Sequence, residues 1–436
     1  IGYKGIGFKS VFRYTDNAYI RSGNFSFRFS KAESGNDKPW EVLPLFQLEK
    51  DMVTQIPQFD FFNAPVAFAF EFNSEQSKNY VIKYLNQLSQ NPYLLIFLEN
   101  LTQLKIKAPS LTFIENGISQ TFPELEVDFI KDVTKKDGFD SINLFVNSSS
   151  HSEWLIYTKD DIVITDEEVV NELLDESVTA VPAKMRQFRS PSITIALPKK
   201  QLNDDVINLF TYLPLSNSKF KLPFLINADF IPDLDRTDII HNLKYNNEVL
   251  KFVAITLQEF SQKLAKNNQF EYLNTLLPDF NIEYQSSGNV IVNRLLDFLP
   301  KTEIAFNGQY LTLSNIAIDK SGFVNSFGLE SYKSLIDSEY VPLSIISEHK
   351  RISKLIEKIN PDGVFDYHKL KEKVRSDSFK DWLKKPANNS EFLKYLSQST
   401  YLDVFSDEFI FLAQDGNLYK GSDLLINLGS DELDIK

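Results

Sequence analysis

Apolar and polar residues alternate from Ala18 to Ser22 and again from Phe25 to Ser30, with Gly23-Asn24 between them. Period-two alternation marks a strand with one buried face, and a two-residue Asn/Gly turn is a common join between two such strands. The pattern predicts a hairpin, and the apolar segment Val66 to Phe72 predicts a further strand of the same sheet. The polar run from Asn73 to Ser77 opens a helix to about Gln90, with Val81, Tyr84, Leu85 and Leu88 at helical spacing. Strand-like segments follow at Leu104 to Lys107, Leu111 to Ile114, Leu125 to Phe129, Ile142 to Val146, Trp154 to Tyr157, Ser192 to Pro198 and Leu222 to Phe230. Asp166 to Glu176 reads as an acidic helix among them. From Asn246 to about Lys266 an amphipathic helix carries Val249, Phe252, Val253, Phe260 and Leu264 on its apolar stripe. That stripe is read as core, with a partner-binding helix as the alternative. Ala305 to Leu311 and Phe411 to Tyr419 each show strand, polar-Gly turn and strand, like two copies of one unit. The stretch between them reads as helices, with Lys384 to Ser390 as the clearest loop. The class predicted is α+β.

Composition narrows the setting. A chain of 436 residues is expected to form two or three domains, and a hydrophobic fraction of 43% with 37 Phe supplies ample core. No run approaches the ~20 apolar residues needed to span a bilayer. The first residues lack the basic start and apolar core of a signal peptide, and a cytoplasmic location without membrane attachment is expected. Zero cysteines exclude disulfides and thiolate zinc sites among these residues. A net charge of −13 argues against a chain-wide nucleic-acid surface. The densest basic stretch, Lys184, Arg186, Arg189, Lys199 and Lys200, is either a local phosphate-binding patch or the solvated rim of a strand. His151, His241, His349 and His368 are scattered, with no partner at metal-ligand spacing. His241 follows a loop of interest, where it either senses phosphate or is a surface residue.

The strongest chemical signal is Ile1-Gly2-Tyr3-Lys4-Gly5-Ile6-Gly7-Phe8-Lys9-Ser10-Val11-Phe12. Closely spaced glycines let the backbone approach a ligand, and unpaired amides at the start of a helix attract phosphate. A P-loop fits poorly, because Phe8 intervenes before Lys9-Ser10 and nothing supplies the preceding strand. A glycine-rich turn without ligand is the bland alternative. Ser10 belongs to no Gly-x-Ser-x-Gly elbow, and its hydroxyl is read as a cap or brace of the following helix.

This segment resembles the last glycine box of the GHKL (Bergerat-fold) ATPases, closest to the heat-shock-chaperone, sacsin and NO VEIN-like types. The resemblance implies that Gly2, Lys4, Gly5, Ile6, Gly7, Phe8, Lys9 and Ser10 close an ATP lid and hold its phosphates. It also implies that the chain is a fragment beginning inside the ATPase domain. A second match lies over two hundred residues on: the strand Leu222 to Phe230, then Ile231-Pro232-Asp233-Leu234-Asp235-Arg236-Thr237-Asp238. It is similar to the middle-domain loop in which a family arginine reaches the γ-phosphate, a task suited to a permanently charged planar fork. The alternative for Arg236 is a loop arginine paired with Asp233, Asp235 or Asp238. Asp235 departs from the Ser or Asn that the family favours there.

The Glu-x-x-x-Asn helix and the Asp-x-Gly-x-Gly motif of the family do not occur before the box, and Glu75 to Asn79 fits the first only by letters. ATP and Mg²⁺ are therefore expected only with an upstream segment, and this chain alone is expected to be inactive. The implied layout is the C-terminal part of a Bergerat-type α/β sandwich at 1–73, a transducer-like α+β domain at 74–245, and a mostly helical region at 246–436. The implied function is an ATP-dependent conformational switch acting on a protein client, dimerising when the lid closes. A non-catalytic scaffold and part of a bacterial defence ATPase are the alternatives.

Overall fold

Gly23 and Asn24 reverse the chain as the alternation predicts. The computed structural model describes residues 9–34, 40–57, 64–115, 117–135, 138–279, 284, 286–306, 309–337, 339–343, 348–399 and 401–423. In it, β1 (Thr15–Ser22) pairs antiparallel with β2 (Phe25–Ser30), and Ser22 faces Phe25 across the turn. Gly23 has a φ of +58° while Asn24 keeps an ordinary negative φ, the combination of a II′ turn, whose twist matches that of the strands. After α1 (Lys31–Ser34) come β3 (Leu45–Phe46), α2 (Glu49–Gln55) and β4 (Val66–Phe72). The four strands form one sheet in the order β3-β2-β1-β4, so β4 joins β1 as expected. Ala18, Ile20 and Phe29 bury one face against Phe12 and Trp40, and Tyr19, Ala67 and Ala69 bury the other against Met52.

Two local expectations need correction. Residues Lys9–Arg13 form a 3₁₀ turn, not an α-helix. Tyr14 donates its N–H three residues back to the Val11 carbonyl (2.9 Å) and the chain enters β1 at once, leaving no length for an α-helix. Next, α3 (Glu75–Leu88) begins at Ser74, whose hydroxyl accepts the Ser77 N–H at 3.1 Å. Its buried side is centred on Ser77 and Ile82, and the predicted stripe residue Tyr84 is exposed beside Tyr80.

Beyond α3 lie β5 (Gln103–Ala108), the separate hairpin β6 (Leu111–Glu115) and β7 (Ile118–Phe122), then β8 (Leu125–Thr134), β9 (Asp140–Val146) and β10 (Ser149–Lys159). After α4 (Glu167–Leu174) come β11 (Ile193–Pro198), β12 (Leu209–Thr211), β13 (Leu213–Pro214) and β14 (Leu225–Ala228). Eight strands make a curled mixed sheet, ordered β13-β12-β14-β11-β10-β9-β8-β5, in which β12 runs parallel to β14. Phe129, Leu144 and the fully buried Trp154 fill one side of it. The strand expected over Leu222 to Phe230 is shorter than its apolar run, because residues 220–224 pack in a different unit.

The chain divides into two compact units. One takes 1–196, 207–219 and 225–249, and the other takes 197–206, 220–224 and 250–436. The first holds both large sheets. The long α5 (Lys244–Lys266) begins in the first unit and ends in the second. The second unit continues with α6 (Phe270–Leu276), α7 (Ser286–Phe298), β15 (Glu303–Phe306), β16 (Gln309–Thr312), β17 (Ile316–Asp319) and α8 (Phe323–Leu335). Then come β18 (Val341–Pro342), α9 (Lys350–Ile359), β19 (Val364–Phe365), α10 (Tyr367–Lys373), α11 (Asp377–Leu383), α12 (Pro386–Gln398), β20 (Phe411–Leu412) and β21 (Leu418–Tyr419). Strand β17 is flanked by β18 and β19, both parallel to it. The aromatic rings of Phe323, Phe327, Phe379, Trp382, Phe392 and Tyr395 pack edge to face and tilted around fully buried Phe323.

The predicted loop from Lys384 to Ser390 is largely helix. Pro386 stands at the first helical position of α12, where its missing N–H costs nothing, and Asn389 is buried with its amide donating to the Ile410 carbonyl. Both predicted hairpin units are present, at β15–β16 and β20–β21, and each runs into a single 3₁₀ turn. Among the described residues no helix is long and apolar enough to cross a membrane. Helices and strands occur in both units, in keeping with the α+β expectation.

Candidate functional site

The ends of β10, β12 and β14 meet the start of β11 at one end of the eight-stranded sheet. From β14 the chain leaves through Asp229, Phe230, Ile231 and Pro232, and returns by an antiparallel bridge between Pro232 and Ile239. The loop between them, 233–238, carries Arg236. Asp233 organises it: its carboxylate accepts the Thr237 N–H (2.7 Å) and hydroxyl (2.6 Å), and its own N–H donates to the Asp238 carbonyl (2.9 Å). Asn246 of α5, fully buried, holds both arms. It accepts the Ile231 N–H at 2.8 Å and donates to the carbonyls of Ile231 (2.8 Å) and Ile240 (2.9 Å). A buried amide with its partners in place fixes the loop's entry and exit together.

Arg236 has a φ of +56°. A side chain in the left-handed region costs about 1–2 kcal/mol, which the Asp233–Thr237 and Asn246 contacts hold in place. Its Nη2 donates to the Thr211 carbonyl at 3.0 Å and to the Thr211 hydroxyl. Asp238 is engaged instead with the Ile239 N–H and with His241, and no ion pair of Arg236 occurs among the described residues. The pairing with Asp233, Asp235 or Asp238 weighed from the sequence is thus not what the fold builds. One corner of the guanidinium is anchored, while Nη1 and Nε make no hydrogen bond among the described residues. That arrangement leaves an oriented fork with open donors.

Beside Thr211, Tyr212 is also left-handed (φ +66°), and its N–H donates to the Asn227 side chain at 2.7 Å. Its phenol interacts electrostatically with Asp229, whose Oδ2 accepts the Ser192 N–H at 2.9 Å. Ser192 in turn donates its hydroxyl to Asp160 at 2.5 Å. Burial pushes the Asp229 carboxyl above the usual carboxylate range and the charge of Asp160 adds to this, against the pull of the Ser192 N–H and the Tyr212 hydroxyl. The Asp229 charge, then burial, raises the Tyr212 phenol. Two non-glycine residues in a costly backbone region, joined through one threonine beside a perturbed carboxyl, are the pattern of a working site. Asp160, Ser192, Tyr212 and Asp229 escape sequence reasoning because they come from four separate segments; the only signal was an aspartate closing a buried apolar strand.

Other predicted residues fall as follows. Gly2, Lys4, Gly5, Ile6, Gly7 and Phe8 lie outside the described residues, Lys9 opens the 3₁₀ turn, and Ser10 is exposed within it. His241 is half exposed against Asp238. Arg186 and Arg189 donate to main-chain carbonyls of 173, 175, 186 and 188, so they staple a loop instead of lining a phosphate surface. Glu75 pairs with Lys78 at 3.2 Å on the surface of α3. Among the described residues no group of three or more His, Asp or Glu could hold a metal ion.

No family model, curated protein or solved structure matches the chain.

Proposed function

We propose that the chain is part of an ATP-dependent conformational switch of the GHKL type, in which the glycine box and Arg236 contact the nucleotide phosphates. The observation that carries this reading is the state of Arg236: rigidly presented, anchored through Thr211 by one nitrogen, and unpaired with the aspartates that surround it in sequence. Such a fork fits a terminal phosphate bidentately. Bound ATP would supply the phosphoryl group whose presence or loss the arginine reads. Asn246 and Asp233 hold the arginine's loop, and α5 carries any movement of that loop away from the sheet. The protein's own part is thus to orient a charge and pass on its displacement.

The test is ATP turnover by the full-length protein carrying Arg236→Ala. Loss of a phosphate-directed arginine is expected to slow turnover by roughly 10³-fold or more while nucleotide binding persists. Unchanged turnover would remove Arg236 from the mechanism. Binding without turnover in the unaltered protein would favour the scaffold alternative.

A further inference from the structure

Glu408 in the second unit is buried, yet it is anionic by design of its surroundings. Arg375, in the turn between α10 and α11, donates to it through Nε (2.9 Å) and Nη2 (2.5 Å), and Lys371 of α10 approaches to 3.9 Å. The Arg375 guanidinium holds the carboxyl below its ordinary range. Arg375 itself remains 62% exposed, so Glu408 acts as a buried anchor that fixes a guanidinium at the surface.

That surface is a cleft of about 510 Å³, within the ~300–1,000 Å³ range of small-molecule sites. Four cations line it, Lys371, Arg375, Lys380 and Lys420, against two carboxylates, Asp407 and Glu408. The lysines come from α10, α11 and the segment after β21, so folding and not a basic run in the sequence gathers them. Lys371 is steered by a hydrogen bond to the Val404 carbonyl (2.7 Å), and Lys420 lies over the half-exposed Phe409 ring at 5.0 Å. Neither Lys380 nor Lys420 has a carboxylate at ion-pair distance among the described residues. A protein of net charge −13 that brings four cations together and neutralises only part of them retains a local field that attracts anions.

The geometry points to a binding site for a small anion carrying two or more phosphoryl groups. A fixed fork and separate ammonium groups around a cleft wider than one phosphate suit several phosphoryl groups in one molecule. The inference stands apart from the nucleotide switch, since it rests on other residues in the other unit.

Calorimetric titration of the whole chain with inorganic pyrophosphate at low salt tests it. One site is expected, weakening as salt rises. Lys380→Glu with Lys420→Glu turns the local surplus of positive charge into a deficit, and is expected to lower affinity at least about tenfold with an unchanged melting temperature. Lys380→Gln with Lys420→Gln gives the same direction should charge reversal disturb folding, and the double arginine variant is expected to retain binding. Equal affinity in the neutralised variant, or no binding by the wild type, would overturn the site. Binding of single-stranded oligonucleotides that grows with length, with none of pyrophosphate, would overturn it in favour of a nucleic-acid surface.

Discussion

Environment alters the chemistry of Asp229. Ser192 donates its N–H to the Asp229 carboxyl, Asp160 stands behind Ser192, and the Tyr245 hydroxyl bonds the Asp229 carbonyl at 2.8 Å. Burial favours the protonated form in the folded state, so its folded pKa lies above the unfolded one. Its contribution to stability is therefore complete below the unfolded pKa and is lost as pH rises through the folded value. Asp229→Asn keeps the shape and removes the titration. Urea unfolding across the acidic range should show the variant gaining on the wild type as pH rises through that window; a difference independent of pH would contradict the assignment. At this scale Arg236 was singled out by a resemblance carried on an apolar strand and a short polar loop, and the fold adds its left-handed backbone and its Thr211 anchor. The sequence concealed the acidic cluster, whose members meet only once β10, β11, β12 and β14 are side by side. It also concealed Lys131, which occupies an inward position of β8 and is satisfied by the Leu98 carbonyl at 2.8 Å.

Elements with strong local causes were legible. The β1–β2 hairpin follows from alternation plus a two-residue turn, α3 from its Ser74 cap, and α5 from its periodic stripe. Gly23→Ala probes the first of these. A Cβ there meets nothing within 4 Å, so only the left-handed backbone (φ +58°) resists it. The expected cost is about 1 kcal/mol, read as a lower urea midpoint, and no change would show that the turn does not define the hairpin. Where local causes conflict, the sequence misleads. Asn and Ser between Lys384 and Ser390 suggest a loop, yet Pro386 starts a helix because Asn389 finds a buried carbonyl partner only in the folded unit. The same holds for the run before β14, whose apolar residues are shared between two cores.

At the scale of the molecule, two units are interleaved along one chain, with 197–206 and 220–224 packing apart from the residues that flank them. Contiguous segments such as 1–73, 74–245 and 246–436 express chain order, whereas packing is decided by which apolar faces meet. The proposed nucleotide switch needs the whole protein, since Arg236 alone can hold only one end of a ligand. The most direct measurement is calorimetric binding of a non-hydrolysable ATP analogue with Mg²⁺, comparing this chain with one extended upstream to include Glu-x-x-x-Asn and Asp-x-Gly-x-Gly motifs. Tight, magnesium-dependent binding by the extended chain and none by this one is the result predicted. Absence of binding by both would contradict the switch and leave the glycine box without a nucleotide to close upon.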